Sequence, residues 1–276
     1  SQAMAMNHQD IVVSMGLAQL ELLTTVYENT AAGRSLFHVR HKITQNHYAL
    51  KVFDKTLINK KQLAAEIIAL NRLPFGSVPH VHSWDESGTH VGLLLDWIEG
   101  QSFAQRFKQP PADQYQIKQR IGALIKAGWR LQPMHSQKLY HRDIKPDNLI
   151  LTGDKPHDAV YVIDLGSASQ KRQAEEGTPG FRAPEQYVSR QQSVTDKTDV
   201  FGLAQSLWFL LANESAELSV NADYSDWDYP DYPLLPTFTP QARQLFELLE
   251  QATQFNPRQR PSLTHFLGRL KSLNRG

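Results

Sequence analysis

The sequence predicts an α+β fold in which a small sheet carrying one helix precedes a longer, mainly helical segment. Three observations lead there. From Leu20 to Trp97, short apolar runs are broken by turn residues. Only Lys61 to Leu73 within that region has helical spacing, and beyond Glu99-Gly100 the apolar residues recur over longer helical periods.

Taken in order, Leu36 to Arg40, His47 to Phe53 and Val91 to Trp97 read as strands. Lys61 to Leu73 places Leu63, Ile67 and Leu70 on one helical face with charged residues opposite, and Leu73-Pro74 closes it. The composition changes at Asp96 to Glu99, which reads as a hinge. Gln114 to His135 and Gln241 to Gln254 follow as helices. Val160 to Ile163 is a short apolar run, a buried strand that delivers Asp164 to a sheet edge. The most apolar stretch, Val200 to Ala212, is interrupted by Gln205 and Ser206 and is shorter than the roughly 20 residues of a membrane span, so it reads as a core helix.

The 276 residues can bury a large core in one or two domains. A formal net charge of +1 gives no ground for a general nucleic-acid or membrane binder. With no cysteine, disulfides and thiolate metal sites are excluded, which is compatible with a cytoplasmic setting. Residues 1–19 read as an N-terminal extension without the pattern of a signal peptide; Ser1 to Ala5 can be a tag remnant, with Met6 a native start.

The chemistry concentrates in His141-Arg142-Asp143-Ile144-Lys145-Pro146-Asp147-Asn148, followed by Asp164-Leu165-Gly166. Pro146 pushes Lys145 toward extended backbone, where residues two apart face the same way, so Asp143 and Lys145 should point together. Asn148 and Asp164 add oxygen ligands of the kind magnesium prefers. These residue types suit holding a magnesium-bound triphosphate and passing its terminal phosphoryl group to a hydroxyl. His135 and His141 lack metal-ligand spacing and read as packing or bracing residues.

This loop resembles the catalytic loop of eukaryotic-type (Hanks-type) serine/threonine protein kinases, the segment Gly180 to Gln186 looks most like bacterial members, and the resemblance runs from about Leu20 to Leu270. Tyr48-Ala49-Leu50-Lys51 looks like the strand of the nucleotide-binding lysine, and Glu66 sits where the family keeps its partner. Gly177 to Glu185 resembles the end of an activation segment, Asp199-Val200-Phe201-Gly202 the start of the large buried helix, and Asn256 to Pro261 the late arginine motif, whose Arg260 the family pairs with Glu185. The resemblance implies a bilobal fold: residues 20–97 as a small antiparallel-sheet lobe, 98–276 as a mainly helical lobe, and one shared cleft for ATP and Mg²⁺.

The roles it implies follow residue by residue. Lys51 holds the α- and β-phosphates, fixed by Glu66. Asp143 orients the attacking hydroxyl and takes its proton, Lys145 neutralises the transferring phosphate, and Asn148 and Asp164 bind the metal. Leu36, Ala49 and Leu149 sandwich the adenine, Leu95 backs the pocket, and Asp96 and Ile98 belong to the hinge where the base docks.

The sequence also departs from the family. Its glycine-rich loop falls on Asn29 to Arg34, where Gly33 alone is glycine and stands one place out of register. Loss of glycines there costs close backbone approach to phosphates; Arg34 is a candidate replacement grip. Leu165 stands for the usual phenylalanine. Lys145 and Thr178 resemble serine/threonine rather than tyrosine kinases. Between Lys197 and Arg243 there is no basic residue, while Glu214, Glu217, Asp223, Asp226, Asp228 and Asp231 gather among aromatics. Two readings stay open for that stretch: a surface that attracts basic segments of protein substrates, or a solvated loop packed on its own aromatics. The sequence leaves oligomeric state open. It also leaves a pseudokinase, holding a shape for partners, as the alternative to an enzyme that phosphorylates proteins, itself included.

Overall fold

The computed structural model describes residues 7–74, 78–153, 159–164, 177–187, 194–214 and 241–275, and the backbone of 219–220 and 227–228. The chain divides into two compact units, with the boundary between Ile98 and Glu99.

The first unit is a five-stranded antiparallel sheet, β1 (Leu20–Asn29), β2 (Arg34–His41), β3 (His47–Asp54), β4 (Val81–Glu86) and β5 (His90–Asp96), ordered β1-β2-β3-β5-β4. Side chains alternate across a strand, so register sorts them onto two faces. Leu36 lies opposite Lys51, Lys51 opposite Leu93, and Ala49 opposite Leu95. That face meets helix α2 (Lys60–Asn71): Leu63 and Ile67 pack with Phe53, Val91, Leu93 and Leu95. Asn59 caps α2, its Oδ1 accepting from Gln62 N at 3.0 Å.

The other face carries Phe37, Val39, Leu50 and Val52, and it is covered by α1 (His8–Ser14) and the turn after it. Val12 and Met15, from the segment read as an extension, are core residues of this unit. Met15 seats over Gly92, where a Cβ would come within 2.9 Å of its sulfur.

The second unit begins with β6 (Gln101–Ser102), which pairs with β7 (Leu149–Leu151), itself paired with β8 (Val160–Val162). Its helices are α3 (Phe103–Arg106), α4 (Gln114–Ser136), α5 (Asp196–Ala212), α6 (Ala242–Ala252) and α7 (Leu263–Arg275). Helix α5 is buried along nearly its whole length, which explains why Val200 to Ala212 is mostly apolar. Buried Arg120 donates to the carbonyls of Phe107, Gln109 and Leu210 at 3.4, 2.6 and 2.6 Å, the last at the C-terminal end of α5 where a cation is favoured. Burial, with the Arg106 charge adding to it, holds its pKa below the ordinary value. No helix among the described residues is long and apolar enough to cross a membrane.

Candidate active site

In the first unit, the sheet register gathers the sequence-predicted nucleotide residues on one face. Leu36, Ala49, Lys51 and Leu95 lie side by side, and Arg34, opposite Phe53, shares the face. Lys51 is 2% exposed, its ammonium 5.4 Å from the centre of the Phe53 ring. Glu66 falls on the sheet-facing side of α2, three residues from Leu63 and four from Leu70. Asp96 ends β5 with its carboxylate accepting from His80 N and His82 Nε2 at 2.9 and 2.6 Å, so its side chain braces the start of β4. Ile98 follows, half-buried.

The degenerate glycine loop is a hairpin turn closed on itself. Asn29 pairs with Arg34, Ala32 N donates to Asn29 Oδ1 at 3.0 Å, and Gly33 N donates to Thr30 O at 3.2 Å. Gly33 has φ +64°, and a Cβ there would run into Leu57. Its glycine is needed for the turn. The arrangement spends on the chain itself two N–H groups of the kind a phosphate cradle uses.

In the second unit, the loop from His141 to Asn148 assembles the charged groups. Lys145 is extended, φ −157° and ψ 162°, as Pro146 requires, and its Nζ stands 3.9 Å from Asp143 Oδ2. Thr178 lies between them: its hydroxyl donates to Asp143 Oδ1 at 2.8 Å and accepts from Lys145 Nζ at 2.9 Å. Asn148 turns its amide nitrogen onto the carbonyl of Asp143 at 2.9 Å, which points the amide oxygen the other way. Asp164 follows β8 with φ +67°, a conformation that costs a non-glycine residue energy and is found at functional sites. Leu149, fully buried, opens β7. One amide oxygen and one carboxylate suit magnesium, which usually takes few protein ligands and keeps water and phosphate for the rest.

The bracing contacts of Asp199 and Gln186 were not foreseen, whereas His135 and His141 brace as read. Asp199, in the first turn of α5, accepts from the backbone N–H groups of His141 and Arg142, each at 2.9 Å, and from His135 Nε2 at 2.7 Å. Burial would raise its pKa. The His135 hydrogen bond and charge and the Arg142 N–H outweigh that and hold it below the usual carboxylate value. His141 donates from Nε2 to Ile163 O at 2.7 Å and accepts Asp143 N at Nδ1, 3.1 Å away, tying the loop to the strand that delivers Asp164. Gln186 donates to Arg142 O at 2.6 Å and accepts Ala183 N at 2.9 Å, stitching the Gly177–Gln186 segment to the same loop. The only sequence signal was a buried-helix start led by an aspartate.

The two histidines thus brace the loop, and no group of three or more His, Cys, Asp or Glu suited to a metal occurs among the described residues. Leu165 and Gly166 lie outside the described residues, as does most of the acidic stretch; within it, Ser219–Val220 pairs with Trp227–Asp228.

Residues 32–269 match the protein kinase domain family. The chain is 30% identical over 207 residues to the serine/threonine-protein kinase PknG of Mycobacterium leprae, covering 74% of this chain and 25% of that protein. It is 26% identical to the serine/threonine-protein kinase PLK4 of Drosophila grimshawi, covering 81% and 30%, and 25% identical to the human serine/threonine-protein kinase Nek5, covering 79% and 31%. The chain spans about a quarter to a third of the length of these relatives. With the match reaching from the β1–β2 hairpin into α7, and the loop around Asp143 built as described, the chain belongs to the protein kinase domain family.

Proposed function

We propose that the protein transfers the γ-phosphoryl group of ATP to serine or threonine hydroxyls of proteins, itself included. The observation that carries this reading is the Thr178 hydroxyl held between a buried carboxylate and an ammonium, Asp143 and Lys145. That pair can handle a short hydroxyl, one group taking a proton and the other offsetting phosphate charge.

In this reading Asp143 orients the substrate hydroxyl and accepts its proton as the new O–P bond forms. The bond between the β–γ bridging oxygen and the γ-phosphorus breaks, and ADP leaves. Lys145 stabilises charge on the equatorial oxygens, and Lys51, set by Glu66, holds the α- and β-phosphates. Magnesium, held by Asn148 and Asp164, would neutralise the phosphate oxygens. Leu36, Ala49, Leu95 and Leu149 would flank the base, with the Asp96–Ile98 backbone reading its edge. Because the hairpin spends N–H groups on itself, Arg34 on the Lys51 face would supply phosphate contact in their place. The acidic stretch after α5 would favour substrates with basic segments.

The test is incubation with Mg-ATP and a generic basic protein, read by mass spectrometry, with Asp143→Asn as control. Loss of the general base should cut incorporation by about 10²-fold or more. Equal incorporation by both proteins would refute the role of Asp143. Nucleotide binding with incorporation by neither would select the pseudokinase.

A further inference from the structure

We propose that His8 is a positioning residue that latches α1 to the root of the β1–β2 hairpin and so sets where Arg34 stands for nucleotide phosphates; this rests on the reading of Lys51 and Arg34 as phosphate-holding groups. The helix is anchored behind the sheet by Val12 and Met15, on the face opposite Lys51. Its first residue, His8, reaches outward along β1. Nε2 donates to Glu28 Oε1 at 2.9 Å, Nδ1 meets Thr25 Oγ1 at 3.5 Å, and the ring lies 4.8 Å from that of Phe37.

Glu28 directly precedes Asn29, the residue that closes the hairpin turn and pairs with Arg34. A restraint on Glu28 is therefore transmitted through one peptide unit to the turn. Close packing does not supply that restraint. The angle between α1 and the hairpin holds a pocket of about 180 Å³, with His8, Ile11, Asn29, Gly33, Phe37 and Asp54 among its walls. Where side chains do not fill space, strand tilt is left to specific polar contacts. Among the described residues the His8–Glu28 pair reaches furthest along β1 toward the turn, with the His8–Thr25 and His8–Phe37 contacts behind it. A family loop of three glycines adjusts to its phosphates, whereas this turn is closed by its own hydrogen bonds and paired from Asn29 to Arg34, so its root bears on the position of Arg34.

His8→Ala and His8→Gln in the full chain test the latch. Glutamine keeps a donor for Glu28. Both partners of this pair are partly exposed, so the alanine variant should raise KM for ATP by about three- to fivefold with kcat unchanged. It should also speed amide exchange at Ala32 and Gly33 measured without nucleotide, and the glutamine variant should restore both. Glu28→Ala should reproduce the alanine result from the other side. Unchanged KM and exchange in the alanine variant, or failure of glutamine to restore them, would overturn the latch. Faster hairpin exchange in a chain that transfers no phosphate would keep the latch and remove the kinase reading.

Discussion

Arg260 and Glu185 form a fully buried bidentate ion pair, Nη1 to Oε2 at 2.7 Å and Nη2 to Oε1 at 2.9 Å, across 75 residues of sequence. The remaining donors of Arg260 are also used: Nε on Gln254 O, Nη1 on Lys197 O and Nη2 on Phe255 O, at 2.7, 3.0 and 3.3 Å. Thr198 donates its hydroxyl to Glu185 at 2.8 Å. Removing one partner leaves a charge stranded in the interior, which costs far more than the intact pair contributes. Arg260→Met should therefore destabilise the protein by about 3–5 kcal/mol in urea unfolding. Adding Glu185→Met should recover much of that loss, and a double variant no better than the single would contradict the argument.

Gly202 sets two opposed effects against each other. In an exposed helix, glycine to alanine stabilises by about 1 kcal/mol. Here a Cβ would stand 2.9 Å from Ile144 Cβ and 3.0 Å from Ile144 O, and that oxygen belongs to the backbone of the loop carrying Asp143 and Lys145. Overpacking against backbone costs about 1–3 kcal/mol, so the steric effect wins. Gly202→Ala should lower Tm and reduce kcat together. A stabilised variant with full activity would show that the loop yields.

The pKa of Asp199 fixes the sign of one acid effect. Its folded value lies below the ordinary carboxylate value of about 3.9. The stability it contributes is present in full above that ordinary value and is lost as pH falls through the folded one, because the unfolded chain takes up the proton first. Stability measured by denaturant from about pH 5 downward should fall more steeply in the native protein than in Asp199→Asn. Parallel curves would count against it.

What could be read from the sequence divides along physical lines. Lys145 pointing with Asp143 was legible because a proline fixes its neighbour locally. The strands β2, β3 and β5 were legible from apolar runs, and α2, α4 and α6 from helical spacing. β1 was harder: register shifts between Leu22 and Thr24 and between Thr25 and Tyr27 break its alternation. β4 is mostly polar and has its own irregularity between Val81 and Ser83. In α1, Ile11-Val12-Val13 shows no helical period, and its cap from Asn7 Oδ1 to Asp10 N is a weak signal alone. Asp199 was legible as the start of the large buried helix but its bracing was not, since the two N–H groups it holds lie 57 and 58 residues away. Asn29 closing the hairpin could not be read from counting glycines.

One helix, α5, addresses three separate targets: Asp199 holds the N–H groups ahead of Asp143, Gly202 abuts Ile144, and Gln205 donates to Gly180 O at 3.0 Å. Spaced three residues apart, these contacts project from neighbouring positions of a single rod that rises 1.5 Å per residue. The rod is thus a common datum for the loop that carries Asp143 and the segment that carries Thr178. Any displacement along its axis would carry both by the same distance and preserve their mutual spacing, so slippage would alter where the chemistry happens before it altered the chemistry itself.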